Sequence, residues 1–181
     1  MTKFDEFCSS LLEESKRFLE KANETKNDKA KHAYYHSSIL LGISALEAYI
    51  NGIASDIVLV KDVPIIEKAL LSEKDIELRK GTFKLTNRLK IYRLSERIEY
   101  LYNKFSGHQL DSVQEKWWSD LKFSLQLRNN LVHPKDEIPI DKKQVEKLLK
   151  SVINCLTCLS KFIYGKEFPF KNLGLQSKLT F

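Results

Sequence analysis

Six apolar residues, Ile39, Ile43, Leu46, Ile50, Ile53 and Ile57, follow one another by fours and threes. At 3.6 residues per turn this spacing draws one continuous apolar seam along a helix, and a seam of that length is stable only against other helices. The rest of the chain supplies them. Phe4, Phe7, Leu11, Leu12, Phe18 and Leu19 share one broad face of a helix from about Lys3 to Ala22, and the polar residues from Asn23 to Lys29 read as a turn. Leu89, Tyr92, Leu94, Ile98, Leu101 and Phe105 suggest a helix from Leu85 to Phe105, broken by Ser106-Gly107. Another starts near Asp111 and carries Val113, Trp117, Trp118, Leu121, Leu125, Leu131 and Val132. It should end just before Pro134, because a residue preceding proline is driven out of the helical region. Asp141 with Gln144 three residues later resembles a capping pair that opens a last helix running to about Tyr164. Between Pro64 and Lys80 the pattern reads as a shorter helix or an irregular helical insert.

The fold class expected is all-α: a helical bundle of four to five main helices in one domain over residues 1–165, followed by a tail over 166–181. With 6 Gly and 4 Pro in 181 residues, the turns that a β-sandwich or barrel needs are missing. A 43% hydrophobic content is enough for a real core. The tail is apolar and aromatic without a period, which suits either draping over the bundle or assembly. The most apolar stretch, Ile39 to Val60, carries Glu47, Asn51 and Asp56, so it makes a poor membrane span and a good buried helix. No signal pattern opens the chain at Met1-Thr2-Lys3-Phe4. Cys155 and Cys158 form a CxxC, but it lies in an apolar helical stretch and no second Cys/His pair sits at zinc spacing, so both read as small core residues. These readings point to a cytoplasmic protein with no membrane partner, no metal and no cofactor. The net charge of +6 permits a polyanionic partner without requiring one, since no dense run of Lys and Arg occurs.

One helix end combines chemistry with an awkward position. Trp118, Leu121, Leu125, Arg128 and Val132 fall at helical spacing, so Arg128 shares a side of its helix with apolar residues. An unpaired buried guanidinium is unfavourable by several kcal/mol, roughly, so an anion should lie nearby: a carboxylate or a ligand phosphate. On the second helix His36, Leu40, Ser44, Glu47 and Asn51 form a polar stripe beside the isoleucine seam, and Glu47, expected to be partly buried, is the candidate partner. Asn129 and His133 stand at i and i+4. An arginine gives a phosphate two parallel donors, and a histidine exchanges a proton near neutral pH. The same residues also admit a structural role, a Glu–Arg pair fixing the register of two helices and a histidine ending a third. His32, His36 and His108 are scattered and lack metal-ligand spacing.

The segment Arg128-Asn129-Asn130-Leu131-Val132-His133 resembles the signature of the HEPN superfamily (higher eukaryote and prokaryote nucleotide-binding domain), and Leu41 to Asn51 resembles the polar-bearing upstream helix of such domains. The resemblance implies a metal-independent endoribonuclease, often a toxin or antiviral defence effector. In that scheme His133 transfers a proton at the ribose 2′-OH, Arg128 binds the scissile phosphate, and Asn129 and Glu47 orient them. One motif per chain implies a homodimer with a shared cleft for RNA, and an antitoxin or regulatory protein as a further partner. Some members only bind, so the alternative is a non-catalytic RNA- or nucleotide-binding or protein-interaction module. A third is a domain that serves a nucleotidyltransferase in a separate chain.

Overall fold

The protein is described here by a computed structural model that covers residues 3–113, 115–169 and 174–179. Helix α1 (Lys3–Glu24) and helix α2 (Asp28–Val58) form a helical hairpin. Asn27 caps α2, its side chain accepting from the Ala30 N–H at 3.1 Å. The two helices come close where small residues meet: the Ser15 hydroxyl donates to the Ser38 carbonyl at 2.6 Å and the Ser38 hydroxyl returns a bond to the Ser15 carbonyl at 2.8 Å. One turn on, Gly42 leaves room for the side chains of Leu148 and Ser15. Then follow α3 (Ile65–Ser72), strands β1 (Lys74–Arg79) and β2 (Thr82–Leu89), α4 (Leu94–Ser106), a single 3-10 turn (Leu110–Ser112), α5 (Lys116–Val132) and α6 (Lys142–Tyr164).

Helix α2 is the centre of the bundle. All six residues of its seam are buried, and α1, α3, α4, α5 and α6 pack around it. By length and composition α2 could cross a membrane, yet half of its most apolar window is buried inside the protein, as in a core helix. The expected stop of α5 is observed: it ends at Val132, and His133 leaves the helix with φ −125 and ψ 64. The cap of α6 is also found. Asp141 accepts from the Gln144 N–H at 2.8 Å, and Gln144 accepts from the Asp141 N–H at 2.9 Å. Asp141→Ala should therefore lower stability by about 1 kcal/mol in a urea titration, by leaving the Gln144 N–H at the helix start without its acceptor. Cys155 is fully buried and Cys158 half-buried, and burial pushes both thiols up.

Two sequence expectations need correction. The shorter helix expected between Pro64 and Lys80 is present as α3, but it stops at Ser72 and most of the rest of the stretch is strand. The helix expected from Leu85 starts only at Leu94. Between them lies an antiparallel hairpin, with Ile76 opposite Leu85, Leu78 opposite Phe83 and Arg79 opposite Thr82. The physical cause is the turn. Lys80 and Gly81 both have positive φ, 49 and 76, the backbone that a two-residue hairpin loop of matching twist demands. Once that turn forms, Ile76, Leu78, Phe83 and Leu85 alternate onto one face and Glu77, Arg79, Thr82 and Lys84 onto the other.

The tail drapes over the bundle in its described part. Phe168 is buried edge-on against the Tyr49 ring at 5.3 Å. Further on, the backbone N–H groups of Ser177 and Lys178 donate to Glu20 and Glu13 of α1. Phe168→Ala is expected to lower stability by about 2–4 kcal/mol, read as a drop in the denaturation midpoint.

Candidate functional site

Arg128 sits one turn before the end of α5, on the side of the helix that faces α2. Its guanidinium lies 3.9 Å from the Glu47 carboxylate, with about a quarter (28%) of the arginine side chain exposed. The pairing expected from the apolar spacing is thus observed. Its character differs from expectation, because Glu47 is exposed and not partly buried: 47% of its side chain meets solvent. The reason is position on α2. Ile43, Leu46 and Ile50 carry the buried seam, while Ser44 and Glu47 point outward with Leu40. An exposed pair at 3.9 Å contributes about 0–1 kcal/mol at most, so it orients Arg128 loosely and leaves its donors available to another anion.

His133 is exposed at the helix end, its N–H donating to the Asn129 carbonyl at 2.9 Å. Among the described residues no hydrogen bond joins its ring to Arg128, so the two groups share a helix terminus but not a direct contact. Asn129 is exposed on the same face. Its neighbour Asn130 is occupied, its side-chain oxygen accepting from the Gln126 amide at 2.8 Å. Arg128, Asn129, His133 and Glu47 therefore form an open, solvent-facing patch where α5 ends against α2. Elsewhere on α2, His36 is driven below its usual pKa by burial and then by His32, which fits a structural role. Among the described residues no group of three or more His, Cys, Asp or Glu is arranged to hold a metal ion.

A second arginine belongs to this neighbourhood and was not singled out from the sequence. Arg97 of α4 is 2% exposed. Its guanidinium donates to the Leu71 carbonyl at 3.1 Å, one of the carbonyls left open where α3 ends. It also lies 3.2 Å from the Glu73 carboxylate. Glu73 itself closes α3 in the left-handed region, φ 51, and its carbonyl accepts from the Lys90 N–H at 2.9 Å across the base of the β-hairpin. Burial pushes the Arg97 pKa down, while the charges of Glu73 and then Glu47 pull it up. Glu47 is therefore within electrostatic reach of both arginines. The charges alternate, Arg128, Glu47, Arg97, Glu73, from the end of α5 to the root of the hairpin. Among the described residues the Arg97 Nε finds no hydrogen-bond partner.

No family model matches the chain, and no curated protein or solved structure is significantly similar to it.

Proposed function

We propose that the chain is a metal-independent endoribonuclease of the HEPN type, working as a homodimer in the cytoplasm. The observation that carries this reading is Arg128: a guanidinium held at a helix end by one loose carboxylate contact, with an exposed histidine one turn further on. Arg128 would clamp the two non-bridging oxygens of the scissile phosphate and stabilise the charge that grows there. His133 would take the proton of the ribose 2′-OH. The freed oxygen attacks phosphorus, the bond to the 5′-oxygen breaks, and that oxygen leaves with a proton supplied by solvent or by the second copy's motif. The products are a 2′,3′-cyclic phosphate and a 5′-hydroxyl. Glu47 and Asn129 orient Arg128 and His133. The openness of the patch supports the dimer, because a facing second copy would exclude water from it. The biological setting consistent with this chemistry is a toxin or defence effector held in check by an antitoxin or regulatory protein.

The test uses purified protein, mixed RNA and excess EDTA. Cleavage should persist, and the fragments should carry cyclic phosphate ends. Intact RNA, or cleavage that returns only with a divalent metal, rules the mechanism out. Light-scattering mass should be twice that of the chain; a strict monomer contradicts the shared cleft.

A further inference from the structure

The net charge is concentrated in one place. Residues 74–93 hold seven Lys and Arg against two Asp and Glu, five of the chain's net six positive charges. Five of the seven basic residues lie on the hairpin itself, and Lys90 and Arg93 follow it on the way into α4. Lys74, Lys80, Lys84 and Arg88 are exposed and make no ion pair among the described residues. One face of the same ribbon is apolar, and it is bare toward the turn: Leu78 and Phe83, cross-strand neighbours, are 64% and 60% exposed. Toward the root, Ile76 and Leu85 are half-buried, and the ribbon packs against α3.

We infer that this hairpin is an arm that grips single-stranded RNA and leads it to Arg128; the inference rests on the ribonuclease reading for the destination, not for the grip. A bare apolar face beside unpaired cations calls for a partner that is both anionic and flat-faced. Single-stranded RNA is both, with phosphates for the lysines and unstacked bases for Phe83 and Leu78. A duplex hides its base faces. A second copy of the ribbon would bring a net charge of +3 over residues 74–89 against another +3. The arm also starts in the right place. A six-residue strand extends about 20 Å, and its root at Glu73 is tied to Arg97, the buried arginine that feels Glu47, the partner of Arg128.

The test measures fluorescence anisotropy on an unstructured 2′-O-methyl RNA 20-mer, which cannot be cleaved by 2′-OH attack. The quadruple variant Lys74→Gln/Lys80→Gln/Lys84→Gln/Arg88→Gln alters only exposed side chains. It should bind about tenfold more weakly or worse near 0.1 M salt, and its slope of log Kd against log salt should fall by up to about 3, at about 0.7 for each phosphate no longer neutralised. Phe83→Ala should weaken binding roughly fivefold or more with the slope unchanged, as loss of base stacking predicts. On cleavable RNA the quadruple variant should keep kcat at saturation and raise KM. Unchanged affinity and slope in both variants overturn the arm. So does arm-dependent binding of phosphatidylserine vesicles with RNA binding intact. The two readings separate cleanly: cleavage that needs His133 but ignores the arm removes only the arm, and arm-dependent RNA binding by a protein that never cleaves removes only the ribonuclease.

Discussion

His133→Ala is expected to lower the RNA cleavage rate by about two to four orders of magnitude, the range that a positioned general base contributes. Arg128→Ala should lower it by about two to three, as for the loss of one donor set aimed at a developing oxyanion. The folded state should hardly notice either change. His133 is exposed and its ring has no hydrogen bond to Arg128, and the Arg128–Glu47 contact is long and wet. Thermal midpoints within a few degrees of the parent would therefore accompany the loss of activity. Arg128→Lys makes the sharper comparison. It keeps the charge but loses the planar pair of donors, so it should recover only a small part of the rate. Glu47→Gln should lie between, with a modest fall in kcat, because it loosens the orientation of Arg128 without removing a group that touches RNA. If His133→Ala cuts as fast as the parent, the assignment of the helix end is wrong whatever the protein does to RNA.

The largest loss of stability is expected at Arg97. Arg97→Ala removes a buried side chain, opens the end of α3 and leaves Glu73 without its partner, which should lower the unfolding free energy by about 3–5 kcal/mol. Arg97→Met keeps most of the volume and buries no charge, so it should cost less, about 1–2 kcal/mol. Glu73→Ala is the informative member of the series. It touches a side chain that is 22% exposed, yet it leaves a guanidinium at 2% exposure with only a carbonyl to neutralise it. Its cost should exceed that of Arg97→Met. Urea titrations of the three variants measure the order directly, and a neutral Glu73→Ala would show that the ion pair contributes nothing.

What could be read from the chain divides by the range of the forces involved. The α2 seam, the α6 cap at Asp141 and Gln144 and the end of α5 before Pro134 are set by residues within a turn or two of each other, and all three stand in the structure as read. The hairpin was missed because Leu85, Leu89 and Tyr92 also fit a helical spacing. The deciding residue, Lys80, adopts a left-handed backbone that lysine seldom takes. Partial burial of Glu47 is expected from the apolar neighbours that flank it in sequence, but they turn away from it around the helix. Arg97 is the instructive omission. It stands three residues after Leu94 and four before Leu101, so the apolar spacing that singles out Arg128 singles it out with more force. Its partners, Leu71 and Glu73, stand at the end of α3, a stop that helical periodicity did not reveal.

The hairpin also gives the molecule a direction. Residues 74–93, the hairpin and the short segment after it, carry five of the net six positive charges, and the other 161 residues carry a net +1. Most of the net positive charge thus sits on one element and the segment after it, packed against α3, and not on the helices of the bundle. In the field of any polyanion the protein experiences a torque before it touches anything, and it arrives arm first. That orientation would be fastest in dilute salt and fade as the Debye length shrinks from about 10 Å at 0.1 M to about 3 Å at 1 M. Encounter rate and grip would then answer to the same few lysines.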